Sequence, residues 1–236
     1  MAGHFRKCGL PVPEVRIASE DKTYYLQEDL GDTLLFHAIE KGRATSVFSE
    51  EEKELLRKTI RLLPAIQFAG ADGFDFSRCY PQPEFNQRSI LWDLNYCKYC
   101  FFRPVYAELT NPACRMILTS SVSVCLKLSV CSLRECSCTR DFQSRNVMVK
   151  DGAAWFIDFQ GGRAGLFLYD VVSFLWQGRA GFSADERLRL VDVYFDEAAR
   201  IMPEIDRSRF VDLLPEVVLF RSLQVLGTYG FRGLYE

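Results

Sequence analysis

An Asp-Gly pair constrains the fold more than any other feature of this 236-residue sequence. Asp151 and Gly152 stand between two short apolar runs, VMVK and AAWFID, which is a strong signal for a tight β-hairpin. Such a hairpin brings the residues before its first strand next to the residues after its second strand. The sequence therefore predicts that residues 141–146 lie beside residues 158–161.

Three side chains in these two segments suit phosphoryl transfer. Asn146 and Asp158 offer the hard oxygen ligands that Mg²⁺ prefers, and Asp141 is a separate carboxylate able to face an attacking hydroxyl group. The five-residue spacing from Asp141 to Asn146 is that of the kinase catalytic loop H-R-D-x-x-x-x-N, and DFQG stands where kinases have D-F-G. Asp and Asn also favour turns, so each residue alone has a plainer interpretation. Their joint spacing favours Asp141 as the catalytic residue, with Asn146 and Asp158 as magnesium ligands.

The segments RDFQSRN, IDFQGGR and YYLQEDLGD resemble the aminoglycoside phosphotransferase and choline kinase family. The resemblance covers roughly residues 10–105 and 139–230 and is strongest to bacterial members that phosphorylate sugars, including N-acetyl amino sugars. It implies an ATP-dependent kinase, with Mg²⁺, that transfers the γ-phosphate to a hydroxyl of a small molecule such as a sugar or amino sugar. It also implies a protein-kinase-like α+β fold. Residues 1–30 would be a remnant of the small lobe with the hinge, and residues 31–236 a mainly helical large lobe that carries the catalytic hairpin.

The resemblance assigns further residues by their place in the family motifs. The backbone of Gln27, Glu28 and Asp29 would meet the adenine ring at the hinge. Arg140 and Asp170 would support the catalytic loop, with Asp170 bracing it from the helix that begins near LYD.

Two more residues are candidates for substrate contact. Asp93, on the helix that contains Trp92, faces a substrate pocket by resemblance, and a solvated helix face is the alternative. Arg163 follows the predicted metal-binding segment and is a candidate for contact with phosphate or substrate, with an ordinary surface arginine as the alternative.

The sequence departs from the family pattern in two ways that bear on activity. Thr139 stands where family members usually have a histidine, a residue that is generally structural in kinases. The family's phosphate-covering loop and nucleotide lysine would precede residue 10, and MAGHFRKCG supplies neither, as in a family member shortened at its N-terminus. The competing hypothesis is therefore an impaired fragment or pseudokinase that serves as a nucleotide-binding or interaction module.

Residues 114–138 differ abruptly in composition, since they hold five of the nine cysteines together with many serines. In the family this place belongs to a helix that leads into the catalytic loop, and a shift of the reading frame is one hypothesis for the change. A second hypothesis is a zinc site formed by Cys97, Cys100, Cys136 and Cys138. Thiols in the core and on the surface are the favoured interpretation, because the ligand spacing is poor.

Composition limits the partners. A formal net charge of −2, from 29 basic and 31 acidic residues, gives no electrostatic footprint for nucleic acid or an anionic membrane. Neither a signal-peptide core nor an apolar stretch of membrane-spanning length is visible in the sequence. We therefore expect a cytoplasmic protein that binds a small molecule, and nothing in the sequence sets its oligomeric state.

Helix start signals occur at three places. Ser49 with Glu52 and Ser183 with Glu186 each have the spacing of a capping box, and Ser89 is the candidate N-cap of the helix that contains Trp92. A helical period also runs from residue 206 to residue 229.

Overall fold

The computed structural model describes residues 1–21, 23–105 and 136–235, which form a mainly helical body with small antiparallel sheets. The described α-helices are α1 (Ala2–Lys7), α2 (Leu35–Ala38), α3 (Glu40–Thr45), α4 (Glu50–Pro64), α5 (Gln87–Cys97), α6 (Arg103–Val105), α7 (Phe167–Leu175), α8 (Ala184–Ile201) and α9 (Arg207–Tyr235). Two π-helical turns, Ala65–Ala69 and Lys98–Phe102, continue α4 and α5, and 3-10 turns lie at Phe76–Arg78 and Ser144–Asn146.

The strands pair as three two-stranded antiparallel sheets in the described part of the chain. They are β1 (Val15–Ala18) with β2 (Tyr25–Gln27), β3 (Ser137–Cys138) with β6 (Arg163–Ala164), and β4 (Val147–Lys150) with β5 (Ala153–Phe156). The hairpin predicted around Asp151-Gly152 is confirmed as β4–β5.

The turn of the β4–β5 hairpin has the geometry that its sequence demands. Asp151 has a φ angle of 52° and Gly152 a φ angle of 70°. Positive φ at both central residues is the mark of a type I′ turn, whose twist matches that of the two strands. The register pairs Val147 with Phe156, so the segments before β4 and after β5 leave the hairpin side by side.

Two predicted helix starts are confirmed and a third is wrong. Ser49 and Glu52 form a complete capping box, and the Ser183 hydroxyl accepts the backbone N–H of Glu186. The cap of α5 is not Ser89 but Asn86, whose side chain accepts the N–H of Ser89. Asn caps a helix as well as Ser does, and the earlier of two suitable residues takes the role here. Ser89 then lies buried in the first turn.

Helix α7 is at the centre of the molecule, and all nine of its residues are buried. Helix α4 packs against α8, and α9 packs against α5 and α7. Phe142, in the loop before β4, lies with its ring 5.0 Å from that of Phe174 and 5.4 Å from that of Phe156. The loop is therefore anchored by an aromatic side chain between the hairpin and the central helix.

Helix α1 had no counterpart among the sequence predictions. Its Phe5 is fully buried and makes an edge-to-face contact with Phe159, at 5.2 Å between ring centroids. Arg6 lies 3.6 Å from the carboxylate of Glu28. The helix thus packs on the segment that follows Asp158 and is tied to the end of the β1–β2 hairpin.

Two predictions extend beyond what this structure decides. The division of the chain at residue 30 into a small-lobe remnant and a large lobe stays a prediction. Most of the cysteine- and serine-rich block, residues 114–135, lies outside the described residues.

Among the described helices, none combines the length and the apolar character needed to cross a membrane.

The turn glycine provides a test of the hairpin. A side chain at Gly152 meets open space but must adopt a φ angle of 70°, so we expect Gly152→Ala to lower the free energy of unfolding by about 1 kcal/mol. Gly178→Ala is the matched control, because Gly178 also has open space around it and lacks a left-handed φ angle. Urea denaturation measures both. Equal stability of the two variants would contradict the proposed role of the turn.

Candidate active site

The hairpin brings the two predicted segments together. The backbone N–H of Ile157 donates to the carbonyl of Asn146 at 3.1 Å. Further along, a Cβ placed on Gly161 would lie 3.3 Å from the carbonyl oxygen of Thr139. Residues 158–161 therefore run along residues 139–141, as the Asp-Gly turn predicts.

Asp141 is exposed to solvent, and two amides hold its carboxylate. Asn146 Nδ2 donates to the backbone carbonyl of Asp141 at 2.8 Å and to its Oδ2 at 3.2 Å. Gln143 Nε2 donates to Oδ1 of the same carboxylate. Each carboxylate oxygen therefore accepts one N–H group from the loop itself, which fixes its orientation.

Asp158 lies across from Asp141 in a left-handed backbone conformation, with a φ angle of 65°. Its partial burial and the nearby charge of Asp141 raise the pKa of Asp158, while the N–H of Gln160 acts in the opposite direction. No Lys, Arg or His of the described ranges forms an ion pair with either carboxylate. Two acidic groups thus face each other, and no cation of the described residues is paired with either.

This donor set fits a hard divalent cation. Because Asn146 turns its Nδ2 towards Asp141, its Oδ1 faces away, and no donor from the described part of the chain reaches that oxygen. A carboxylate with a raised pKa beside a free amide oxygen is stabilised by a cation such as Mg²⁺, which prefers such oxygen ligands.

Asp170, on α7, is fully buried beneath the loop. Its carboxylate accepts the backbone N–H of Thr139 at 2.8 Å and that of Arg140 at 3.0 Å. Gln67 Nε2 donates to it at 3.3 Å. Burial raises the pKa of Asp170 to about 6, although these hydrogen bonds oppose the increase.

The position of Gln67 is fixed in turn by its own partners. Gln67 Nε2 also donates to the carbonyl of Phe167 at 2.9 Å, and its Oε1 accepts the hydroxyl of Tyr194 at 2.6 Å. These contacts join the π-helical turn after α4 to α7 and α8. Sequence reasoning missed Gln67, because a residue 103 positions from Asp170 gives no local signal of the contact.

Arg140 and Asp93 form an ion pair of 2.6 Å beside the loop. Arg140 has a φ angle of 66°, and its guanidinium lies 4.9 Å from the ring centroid of Phe85. Burial raises the pKa of Asp93, and the charge of Arg140 opposes that increase. The alternative of a solvated helix face is therefore wrong for Asp93, since only 8% of the residue is exposed.

Arg163 is also buried, with 3% exposure, so the alternative of an ordinary surface arginine is wrong. It lies in β6 opposite Cys138, and its Nε donates to the carbonyl of Gly161 at 3.1 Å. Burial and the nearby positive charge of Arg140 lower the pKa of Arg163.

The predicted hinge residues lie at the end of β2 and directly after it. The backbone N–H of Glu28 donates to Glu14 at 2.8 Å, and Lys150 Nζ donates to the carbonyl of Asp29 at 3.0 Å. Lys150 also lies 3.4 Å from the carboxylate of Glu28. In the part of the chain that the structure describes, the backbone N–H of Asp29 has no partner. Gln27 ends β2 opposite Val15.

The described residues give no geometric support for the hypothesis of a zinc site. Within residues 1–21, 23–105 and 136–235, no group of three or more His, Cys, Asp or Glu side chains is arranged to hold a metal ion. Cys136 and Cys138 are fully buried in the core, where burial raises the pKa of both thiols.

The family of the chain follows from comparison with known proteins. The sequence profile described as the phosphotransferase enzyme family, APH, matches residues 1–207. The chain belongs to this family. An N-acetylmuramate/N-acetylglucosamine kinase of Neisseria meningitidis serogroup B is 26% identical to this phosphotransferase-family chain over 188 residues, which are 79% of the chain and 52% of that protein. The chain thus spans about half the length of this curated relative.

Solved structures of other phosphotransferases share the fold. The Plasmodium vivax ethanolamine kinase has a TM-score of 0.61 at 14% identity, with 100% of this chain and 66% of that chain covered. The ADP-bound aminoglycoside phosphotransferase APH(2'')-Ib has a TM-score of 0.52 at 14% identity, with 93% of this chain and 79% of that chain covered. The predicted protein-kinase-like α+β fold class is therefore confirmed.

Asp170 should make stability depend on pH. The pKa of Asp170 is about 6 in the folded chain, above the ordinary value of 3.8, so folding favours the protonated carboxyl group. The contribution of this group to the free energy of unfolding is complete below about pH 4 and is lost as the pH rises through 6. Relative to Asp170→Asn, wild-type protein should lose on the order of 2 kcal/mol of unfolding free energy between about pH 4 and pH 7. Urea denaturation at both pH values measures this, with exposed Asp151→Asn as the control. A difference that does not change with pH would contradict the assignment.

Proposed function

We propose that this phosphotransferase-family chain transfers the γ-phosphate of ATP to a hydroxyl group of a small molecule, with a sugar or amino sugar as the acceptor. The observation that carries the proposal is the meeting of Asp141, Asn146 and Asp158, where two carboxylates face each other and where burial, together with the charge of Asp141, raises the pKa of Asp158. Like-charged groups held together in this way are typical of sites for cations and proton transfer.

Asp141 is the residue that orients the acceptor hydroxyl and takes its proton. Its carboxylate is exposed, so an acceptor can reach it, and the amides of Gln143 and Asn146 set its orientation before substrate binds. The bond between acceptor oxygen and γ-phosphorus forms while the bond from phosphorus to the ADP oxygen breaks. Such positioning is the main contribution that a protein makes to phosphoryl transfer.

Asn146, through Oδ1, and Asp158, through its carboxylate, are the proposed ligands of Mg²⁺. When bound, the ion neutralises charge on the β- and γ-phosphates of the nucleotide. The left-handed conformation of Asp158 is the kind of backbone strain that persists at functional sites because surrounding contacts enforce it.

The nucleotide base is proposed to lie against the backbone of Gln27, Glu28 and Asp29. Among the described residues nothing accepts the N–H of Asp29, which leaves it available to the base, whereas the N–H of Glu28 is already bonded to the carbonyl of Glu14. Lys150 holds this segment to the end of β4, so the hinge and the catalytic hairpin are joined by direct contacts. The ADP-bound relative of the same fold is consistent with nucleotide as a ligand.

Two considerations bear on the acceptor. The relative from Neisseria is named as a kinase of N-acetylmuramate and N-acetylglucosamine, which favours an N-acetyl amino sugar here. Asp93 and Arg163 are buried, and Asp93 is paired with Arg140, so we propose that both support the loop and contact substrate at most through a small exposed edge.

A nucleotide site that depends on the metal should be visible in thermal unfolding. We expect saturating ATP with Mg²⁺ to raise the melting temperature of the chain by about 2 °C or more, because a ligand that binds only the folded state stabilises it. Asp158→Asn should abolish the rise, since it removes the charge while Asn tolerates the left-handed φ angle.

Asp151→Asn is the matched control for that variant. Asp151 is also exposed and left-handed, but it lies at the far end of the hairpin, so its response to ATP should equal that of wild type. A cooperative transition that ATP and Mg²⁺ do not move would favour the alternative of an impaired fragment or interaction module.

Loss of the proposed base should affect transfer more than nucleotide binding. We expect Asp141→Asn to lower kcat with N-acetylglucosamine or N-acetylmuramate by about 10²-fold or more while the melting response to ATP and Mg²⁺ persists. Release of ADP in a coupled assay measures the rate. A variant that keeps wild-type kcat would exclude Asp141 from the proton transfer.

A further inference from the structure

Three arginines lie together on one side of the candidate catalytic loop. The guanidinium of Arg43, on α3, lies 3.4 Å from the ring centroid of Phe36, and that of Arg145 lies 4.5 Å from the same centroid. Arg43 Nη1 donates to the backbone carbonyl of Arg179 at 3.1 Å. We call Arg43, Arg145 and Arg179, together with Phe36, the arginine cluster.

The positive charge of the arginine cluster is not neutralised by paired acids. In the part of the chain that the structure describes, no Asp or Glu carboxylate forms an ion pair with any of the three guanidinium groups. Burial lowers the pKa of Arg43, and the charge of Glu40 opposes that decrease. The charges of Arg145 and Arg179 lower it further. Like charges held close together in this way attract an anion.

The three arginines differ in the donors that they leave unused. Arg43 is half-buried, and its Nε donates to the carbonyl of Phe36 at 3.0 Å, so this side chain holds α2 to the segment of Arg179. Arg145 and Arg179 are exposed, and neither side chain donates a hydrogen bond to a described residue. A guanidinium presents five N–H donors in a planar fork that matches a carboxylate or phosphate. The donors of Arg145 and Arg179 are thus available to an anionic ligand.

Phe36 determines where the charge of Arg145 lies. Arg145 follows Asp141 by four residues, but the two side chains form no ion pair. The guanidinium of Arg145 instead lies on the Phe36 ring, where a cation–π contact stabilises it. Asp141 therefore keeps a carboxylate without a paired cation, and the charge of Arg145 lies to one side of it.

A series of contacts places the arginine cluster next to Asp141. Gln143 Nε2 donates to Asp141 Oδ1, and Gln177 Nε2 donates to Gln143 Oε1 at 2.9 Å. Arg179 follows Gln177 by two residues, and Arg145 follows Gln143 by two residues. The arginine cluster and the proposed base therefore belong to the same two neighbouring loops.

We propose that Arg145 and Arg179 bind an anionic group of the acceptor, so that the chain selects an amino sugar with a carboxylate over its neutral counterpart. The inference rests on the proposed function, which places the acceptor hydroxyl at Asp141. Arg43 and Phe36 are positioning residues, because they hold the other two arginines in place. N-acetylmuramate and N-acetylglucosamine form the discriminating pair, since they share the ring and the N-acetyl group and only N-acetylmuramate carries a carboxylate.

The test measures binding without turnover. The Nε–Hε signal of Arg145 is observed by ¹⁵N NMR in the full chain and assigned by its loss in Arg145→Gln. We expect N-acetylmuramate to move this signal to saturation. Calorimetry should give it a dissociation constant about 10-fold or more below that of N-acetylglucosamine. Equal affinities, or no movement of the signal with N-acetylmuramate, would overturn the proposal.

A matched pair of variants separates the local contact from the net charge. We expect Arg145→Gln to weaken binding of N-acetylmuramate by about 10-fold and that of N-acetylglucosamine by less than about 2-fold. Arg200→Gln is the control, because Arg200 is exposed on α8 and pairs with Glu197, outside the arginine cluster. It should bind N-acetylmuramate as wild type does. An equal loss in both variants would contradict the proposal, and a cooperative melting transition of each shows that it is folded.

The nucleotide is a second source of negative charge, because phosphate suits a guanidinium as well as carboxylate does. If the arginine cluster serves the acceptor, Arg145→Gln should keep the full rise in melting temperature with ATP and Mg²⁺. Loss of that rise, with binding of N-acetylmuramate intact, would assign the arginine cluster to phosphate and overturn the proposal.

The inference and the proposed function fail separately. If N-acetylmuramate binds selectively but neither sugar is phosphorylated, the proposed transfer fails and the anion site stands. If N-acetylglucosamine is phosphorylated but N-acetylmuramate binds no more tightly, the transfer stands and the anion site fails. In a chain active on both sugars, Arg145→Gln should raise KM for N-acetylmuramate by about 10-fold with kcat nearly unchanged, because the contact serves binding rather than the transfer step.

Discussion

The buried carboxylate of Asp170 is the interaction on which the candidate site depends. It accepts two consecutive backbone N–H groups, those of Thr139 and Arg140, and so fixes the chain immediately before Asp141. Gln67 holds the same carboxylate from the end of α4 and is itself held by Tyr194 of α8. Because burial raises the pKa of Asp170, the fold maintains an unfavourable ionised group, and these donors offset part of that penalty.

This arrangement explains how the loop keeps its shape with Thr139 in the place of the family histidine. The contacts from Asp170 go to backbone N–H groups, which every residue except proline supplies, so they do not require an imidazole. Phe142 adds an apolar anchor against Phe174, and the Arg140–Asp93 ion pair holds the other side. The backbone contact to Asp170 is therefore kept at Thr139, while the buried Oγ1 of Thr139 has no hydrogen-bond partner among the described residues.

Local signals in the sequence were sufficient for the fold class, the β4–β5 hairpin and two of the three helix starts. Asp151-Gly152 specifies its turn through φ angles that few other residues adopt, and Ser49 with Glu52 caps α4 through contacts three residues apart. The grouping of Asp141, Asn146 and Asp158 followed from the same hairpin register. What sequence reasoning missed depends on tertiary packing. Gln67 lies 103 residues from its partner Asp170, and Gln177 lies 34 residues from its partner Gln143. Helix α1 is too short to show a helical period. The burial of Asp93 and Arg163 is likewise set by neighbours distant in sequence.

The candidate site contains one buried acid and two exposed acids, and the surrounding residues stabilise their charges to different extents. Asp170 is buried and is surrounded by donors, so its charge serves to hold the loop. Asp141 and Asp158 are exposed and face each other without a protein cation among the described residues, so their mutual repulsion persists until a metal ion or a proton relieves it. The amides of Gln143 and Asn146 orient Asp141 without neutralising it, which preserves its capacity to accept a proton. A rigid support beneath two acids that have no paired cation among the described residues is compatible with the proposed phosphoryl transfer, since a protein contributes position and charge to that reaction.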